Sequence, residues 1–483
     1  MKILTKSKYL IGLECPRFLW KTINEPQEIE KPSAADKFKF EEGDKVGELA
    51  KSLFKNGVDI PIDNFSENLN KSKILIKEKK PLFEAGFLYK NCFSRADILT
   101  PNEDGWDIIE VKSGTKVKDV NIHDVAFQKY VYEGNGIKIK NCYLMHLNKN
   151  YIKKGDIEVD KIFIKENINK EVENVINDIE NNVKEIFKIV SLDNPPKPNI
   201  RNKFFKDGYH DCVTDGCFDL PENHVFCLYR GGKLSCELFE KGIINIKDIP
   251  LSVKLNGKQN IQRECETTGR IYVNKEEISN FLKKLKFPLY YLDFETFSTG
   301  IPMFDGLKCY SQVPFQFSLH VVEKENSKPI HYEFLYDGDK DPRKDFILGL
   351  KKVIGNNGSV VVYNQSFEIG RLKEILEHFP EHKAFVEDVL KRVVDLLIPF
   401  REFSYYNPKQ QGSASIKDVL PALVGKSYEG MEIGDGGTAS VMFYNMAYGD
   451  CKDKAKVRED LLKYCELDTL AEVEIVEKLM EIV

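Results

Sequence analysis

Pro288-Leu289-Tyr290-Tyr291-Leu292-Asp293-Phe294-Glu295-Thr296-Phe297 reads as an apolar strand interrupted by two acids two residues apart. Residues two apart on a strand share a face, so Asp293 and Glu295 point the same way out of an otherwise buried element. A carboxylate in an apolar setting costs several kcal/mol unless it is paired or binds a metal. A single acid of this kind is accounted for by a satisfied hydrogen bond in the core. Two on one face call for a cation. From Phe287 onward, apolar strand runs alternate with helical patterns, which is an α/β signature.

Further along, Ser359 to Tyr363 reads as another strand, and Asn364-Gln365-Ser366-Phe367-Glu368 as the start of a helix. Tyr464-Cys465-Glu466-Leu467-Asp468 lies in a helical pattern with Leu461, Leu462 and Leu470. The four-residue spacing puts Tyr464 and Asp468 on one face. Asp293, Glu295, Glu368 and Asp468 supply oxygens for two Mg²⁺ or Mn²⁺ ions about 3.5–4 Å apart. One ion lowers the pKa of a water, the other stabilises the leaving oxygen, and Tyr464 orients or helps deprotonate that water. Taken alone, Tyr464 and Asp468 read as helix surface, and Asp395 reads as a strand-end residue. The full order, Asp-x-Glu, Asn-x-x-Phe-Glu, Tyr-x-x-x-Asp, is similar to the DEDD exonucleases of the DnaQ-like, ribonuclease-H-fold superfamily, in its tyrosine-bearing subgroup. That resemblance implies 3′–5′ exonuclease activity. The pattern normally has Asp where this chain has Glu368.

Upstream, Cys92 to Leu99 reads as a strand, Pro101-Asn102-Glu103-Asp104-Gly105 as a turn, and Trp106 to Lys112 as the returning strand of a hairpin. Glu110 and Lys112 then share a face, and Asp97 near the end of the partner strand can join them. Two carboxylates bind a hard cation, and a lysine beside them orients a water and offsets phosphate charge. Gln128 and Tyr132 sit four apart on a helical stretch. An isolated Glu-Val-Lys would read as a weak surface pair. The ordered set Asp97, Glu110-Val111-Lys112 and Gln128-x-x-x-Tyr132 resembles the PD-(D/E)XK nuclease superfamily, in its RecB-like branch. The resemblance implies that Asp97, Glu110 and Lys112 are catalytic and that Gln128 and Tyr132 contact DNA. That branch carries a histidine on an upstream helix. Phe40 to Leu49 has none, and Glu42 and Glu48 are the acids that could stand in for it.

The stretches Val225 to Gly232, Gly412 to Leu423 and Ile433 to Ala439, with Ser7 to Trp20, extend the likeness. Together they resemble a bacterial family of uncharacterised proteins that joins a RecB-like half to a DnaQ-like half. Three segments are expected: a restriction-endonuclease-like domain over 1–195, a cysteine-bearing helical connector over 196–285, and a ribonuclease-H-like domain over 286–483. The first boundary follows a helical pattern over 168–190 that Asn194-Pro195-Pro196 stops. The RecB-like resemblance also implies a [4Fe–4S] cluster on Cys15, Cys212, Cys217 and Cys227, with Cys236 as the other candidate for the fourth ligand. Zinc suits the same four thiolates, and ordinary buried thiols are the plainer account. The histidines, among them His123, His146 and His210, show no ligand-pair spacing and read as structural or surface.

Composition sets the outer limits. A length of 483 residues suggests two to four domains. Lys plus Arg number 71 against 76 Asp plus Glu, a net charge of −5, which excludes a histone-like binder but not a nuclease whose metal-binding carboxylates enter the same count. The 11 cysteines form no secreted disulfide framework, the first residues lack an apolar signal core, and no apolar run approaches the roughly 18 residues of a membrane span. The expectation is a cytoplasmic, metal-dependent nuclease acting on nucleic acid, DNA before RNA, with Lys112, Lys116, Lys118 and Lys129 on phosphates. The competing expectations are a binding adaptor with inactive sites and a phosphodiesterase for a small nucleotide.

Overall fold

The computed structural model describes residues 2–197 and 220–483. They group into two units. One holds the described residues up to 197 together with Thr299–Ser311; the other holds Leu220–Ser298 and Gln312–Val483. The described part of the expected connector does not stand alone but belongs to the second unit. Its tie is a two-stranded antiparallel ribbon, Tyr272–Val273 against Tyr405–Tyr406, backed by the Gln262 amide donating to Cys227 O at 2.8 Å. The expected helix over 168–190 is two helices, Asn169–Ile176 and Ile179–Val190, with a turn at Asn177 and Asp178.

In the first unit, β1 (Leu4–Thr5), β2 (Val58–Asp59), β3 (Leu82–Tyr89), β4 (Cys92–Asn102), β5 (Gly105–Lys112), β6 (Ile139–Leu147) and β7 (Phe163–Asn167) form one sheet. The order is β2-β3-β4-β5-β6-β7, with β1 paired to β4. β4 and β5 are the expected hairpin, turned at Glu103 and Asp104. β5 runs parallel to β6, and the helix Asp119–Gly134 makes the crossover. Both sheet faces are covered, as a parallel pairing requires. Leu99, Ile108 and Leu144 face one core with Val125 and Val131 of that helix. Ile98, Ile109 and Met145, one residue out of phase, face another with Val46 and Ala50 of the helix Ala34–Lys51.

In the second unit, the ribbon strands are β8 (Tyr272–Val273) and β14 (Tyr405–Tyr406). The main sheet has β9 (Leu289–Phe297), β10 (Val313–Val322), β11 (Ile330–Leu335), β12 (Ser359–Val362) and β13 (Val393–Asp395). Its order is β11-β10-β9-β12-β13. β9, β10 and β11 are antiparallel neighbours, while β12 joins β9 and β13 in parallel. Period-2 alternation sorts β9. Tyr290, Leu292 and Phe294 enter a core with Phe346, Leu350, Leu372 and Ile375. Asp293 and Glu295 therefore leave by the other face, where the long helix Lys454–Ile482 packs across β9 and β10. The chain is thus mixed α/β with two units. No helix among the described residues is long and apolar enough to cross a membrane.

Candidate functional site

The second unit brings three of its four expected acids within ligand reach of one another. Asp293, Glu295 and Asp468 each present an oxygen within 4.8 Å of the others. β9 supplies the first two, and Asp468 comes from the long helix lying over that face. Glu368 enters from the helix Gln365–His378 and is 2 % exposed. That helix begins where β12 ends, at Asn364, whose φ of 81° turns the chain sharply. Asp395 serves that turn: its Oδ1 accepts the Asn364 N–H at 3.0 Å and the Leu397 N–H at 3.1 Å. It is a strand-end residue that shapes the site without entering it.

Glu472 belongs to the group and was missed in the sequence. It lies one helical turn beyond Asp468 and is 1 % exposed. Burial, then the Asp293 and Glu368 charges, hold its carboxyl well above the usual range. Burial and then Asp468 do the same to Asp293, and burial and then Asp293 act on Glu295 and Glu368. Asp468 is pushed up to about 6 by burial. Lys417 favours the charged forms of Asp293, Glu295 and Asp468, and Arg371 that of Glu368. Glu368 Oε2 and Glu472 Oε2 are buried without a hydrogen-bond donor. Hard oxygen donors, orphaned and mutually repelling, fit a divalent cation such as Mg²⁺ or Mn²⁺.

Tyr464 is in place, with its hydroxyl hydrogen-bonded to Asp468. A second tyrosine, not anticipated, donates to the same carboxylate: Tyr428 Oη to Asp468 Oδ1 at 2.6 Å. The Lys417 ammonium lies 5.7 Å from the Tyr428 ring and 5.5 Å from the Tyr464 ring. Cys465 Sγ donates to Asp293 Oδ2 at 3.7 Å. Nearby, β10–β11 pairing sets His320 opposite His331, their rings stacked 4.5 Å apart, with Glu466 Oε1 3.7 Å from His331 Nδ1. This His–His–Glu group is within ligand reach, although the sequence spacing gave no sign of it.

The first unit also gathers its expected residues, in a different arrangement. The β4–β5 ladder stops at Ile98–Ile109, and the Asp97 carboxylate accepts the Val111 N–H at 2.7 Å. Glu110 is 1 % exposed. Its Oε1 accepts from Lys112 Nζ at 2.6 Å and from Lys6 Nζ at 2.7 Å, and its Oε2 from Gln128 Nε2 at 2.6 Å. Asp124, one turn before Gln128, accepts from Gln128 at 3.0 Å and from Lys112 at 2.7 Å. Lys6 and Asp124 were not foreseen. Burial and Asp97 act to raise Glu110, yet Lys112 and Lys6 hold it below its ordinary value. Burial acts to lower Lys6, and Asp124, Glu110 and Asp97 raise it well above.

Two residues expected to contact DNA are buried. Gln128 is fully buried and donates to Glu110 and Asp124, so it positions those carboxylates. Tyr132 is fully buried too: its hydroxyl accepts from Ala96 N at 2.9 Å and donates to Ala85 O, bridging β4 and β3. Neither upstream acid completes a metal set. Glu42 accepts from Gly300 N at 2.9 Å and Lys45 at 2.9 Å, and Glu48 pairs with Lys51 at 2.7 Å. Lys116 and Lys118 are exposed.

Of the expected cluster ligands, Cys212 and Cys217 lie outside the described residues, as does His210. Cys15 is in the first unit, where its Sγ accepts the Phe18 N–H at 3.3 Å and caps the helix Pro16–Asn24. Cys227 is in the second, 3.6 Å from His224 Nε2. Among the described residues no cysteine joins a group of three candidate ligands.

Residues 290–415 match a family model described as a domain of unknown function, DUF2779. The match includes Asp293, Glu295 and Glu368 and ends before Lys417 and Asp468. The chain is 29% identical over 214 residues to the uncharacterized protein MG366 homolog of Mycoplasma pneumoniae, covering 40% of this chain and 32% of that protein. It is 30% identical over 226 residues to the uncharacterized protein MG366 of Mycoplasma genitalium, covering 41% and 33%. It is 30% identical over 151 residues to the uncharacterized protein UU173 of Ureaplasma parvum, covering 29% and 22%. The chain therefore spans about a third or less of the length of these relatives, and in the second unit it is similar to the DUF2779 domain across the strand and helix that carry three of its buried acids.

Proposed function

We propose that this protein is a metal-dependent nuclease whose hydrolytic centre is the carboxylate group of the second unit. The observation that supports it best is the convergence of Asp293, Glu295, Glu368, Asp468 and Glu472 in a buried space, with two orphaned oxygens. A divalent cation held by Asp293, Glu295 and Asp468 supplies an activated water and stabilises charge on a phosphodiester oxygen. The protein's own groups do the rest. Tyr428 and Tyr464 hold Asp468 by hydrogen bonds. Cys465 does the same for Asp293. Lys417 offers positive charge at the rim, suited to a phosphate. Removal of nucleotides from a 3′ end rests on the motif order Asp293-x-Glu295, Glu368, Tyr464-x-x-x-Asp468.

The test is end-labelled single- and double-stranded DNA and RNA, with Mg²⁺ or Mn²⁺, comparing wild type with Asp293→Asn and Asp468→Asn. Stepwise shortening from the 3′ end that falls at least about 100-fold in each variant is expected, the size seen when one preorganised electrostatic group is removed. Undiminished degradation by Asp293→Asn would sink the proposal. Cleavage of dinucleotides alone would favour the small-nucleotide reading. For the first unit a second reading, nucleic-acid binding without cleavage, is favoured by Lys6, which sits among the three carboxylates.

A further inference from the structure

The first-unit residues do not fit the divalent cation that the motif Asp97, Glu110-x-Lys112 implies. Each carboxylate oxygen there already faces a donor or an ammonium. Glu110 Oε1 meets Lys6 and Lys112, and Oε2 meets Gln128. Asp124 Oδ1 meets Gln128, and Oδ2 meets Lys112. Asp97 Oδ2 takes the Val111 amide, and Oδ1 lies 3.8 Å from Lys6 Nζ. A metal needs oxygen lone pairs that aim into an open space, and here N–H groups point at them instead.

We propose that Lys6 is the resident cation of this site: its ammonium sits among Asp97, Glu110 and Asp124 and excludes a divalent metal from them. Three observations carry this. The Lys6 Nζ lies 2.7 Å from Glu110, 3.8 Å from Asp97 and 4.0 Å from Asp124, so one positive charge serves all three acids. Its backbone is anchored. Lys6 is the first residue of the helix Lys6–Glu14, whose N-cap Thr5 lies in β1, and β1 pairs with Cys92 and Phe93 of β4. The placement is therefore set by the sheet that carries Asp97. Finally, Lys6 and Lys112 leave the three carboxylates with a single net negative charge. A divalent ion entering beside them would set four positive charges against three negative ones, with the ammonium at contact distance. In the second unit the acids outnumber the cations: Lys417 acts on Asp293, Glu295 and Asp468, Arg371 acts on Glu368, and Glu472 is pressed by acids.

This inference goes beyond the hydrolysis reading and does not depend on it. It makes Lys6 a positioning residue that neutralises Glu110 and Asp124, and it makes the first unit a metal-free carboxylate–lysine centre. The experiment uses the full chain carrying Asp293→Asn and Glu295→Gln, which disables the second-unit site, so that failure here is separable from failure of hydrolysis. Bound Mn²⁺ is counted by electron paramagnetic resonance. In that background, Glu110→Gln should change the Mn²⁺ count by nothing. Adding Lys6→Met should raise the count by one per chain, and Glu110→Gln on top should remove that ion. Lys6→Arg, which keeps the charge, should gain none. Mn²⁺ should raise the Tm of the Lys6→Met protein and leave that of the Lys6 parent unchanged. Two results would overturn the proposal: Mn²⁺ bound with Lys6 in place and lost on Glu110→Gln, or a folded Lys6→Met protein that gains no ion. The first needs no Lys6 variant, so it decides the matter even where Lys6→Met fails to fold.

Discussion

Asp293 and the four buried carboxylates around it repel one another before any ligand arrives, and this sets the behaviour of each. Burial without a partner disfavours the ionised form, so Asp293 is held well above the usual carboxylate range by burial first and Asp468 second. Replacing one charge by a neutral isostere should relieve that repulsion. Asp293→Asn is expected to raise the Tm of the metal-free protein while it removes the stabilisation by Mg²⁺. A pKa unit corresponds to about 1.4 kcal/mol, and 1 kcal/mol moves the Tm of a unit this size by roughly 2–4 °C. Scanning calorimetry in chelator, with and without added Mg²⁺, checks both halves. A lower metal-free Tm for the variant would contradict the account. Tyr464 at this scale was legible from its four-residue spacing to Asp468. Tyr428 was not, because it comes from a loop forty residues away.

At the scale of elements, both sites depend on side chains that repair the backbone where a strand gives way. Tyr132 is one. Its hydroxyl bridges the Ala96 N–H and the Ala85 carbonyl where β3 and β4 meet. Tyr132→Phe leaves buried backbone groups without that partner, at a cost of about 1–3 kcal/mol. Urea titration should show that loss, while affinity for DNA, measured by anisotropy, should stay within twofold. A selective loss of affinity at full stability would instead support the expected role in contacting DNA. Asp395 is the other. Its Oδ1 takes two amides at the turn that launches the helix with Glu368. Asp395→Ala should cost about 1–3 kcal/mol in urea for each amide left without a partner, and it should lower hydrolysis by displacing Glu368. Asp395→Asn, which keeps the acceptor oxygen, should retain most of both. The hairpin and the two-residue alternation of β9 could be read from residue types. The break at Asn177 and Asp178 could not, because the apolar spacing continues through it.

For the whole molecule, the two units carry opposite electrostatics, and pH should separate them. In the second unit the acids bind protons more tightly when folded than when unfolded, so stability falls as pH rises. For Asp468 the window runs from about 4, the unfolded value, to about 6, the folded one. Metal-free protein should therefore show a second-unit transition that drops between these values, and Mg²⁺ should lift it more at pH 8 than at pH 5, where protons compete. In the first unit Glu110 is held below its ordinary value by Lys112 and Lys6, against burial. Its contribution is present above the unfolded value and is lost on acidification. That transition should fall in the acid range and stay flat from pH 6 to 8. Calorimetry across pH, with the Mg²⁺-sensitive peak assigned to the second unit, tests this. Two transitions with the same pH slope would refute it.

Residue types and short-range periods determined much by themselves: a mixed α/β chain, the acid pair on one face of β9, the β4–β5 hairpin, and Tyr464 one turn from Asp468. These depend on periods of 2 and 3.6 residues, which are local in the chain. Only the tertiary structure decided what completes each site. Lys6 reaches Glu110 across 104 residues, Glu472 joins a strand acid far upstream, and β10–β11 pairing stacks His320 on His331. Gln128 and Tyr132 keep their expected common face, yet that face is turned inward by the sheet it packs on. Local patterns say which side chains share a face. What that face meets is set by long-range packing, and in this protein it places a lysine among one set of carboxylates and leaves orphaned oxygens in the other.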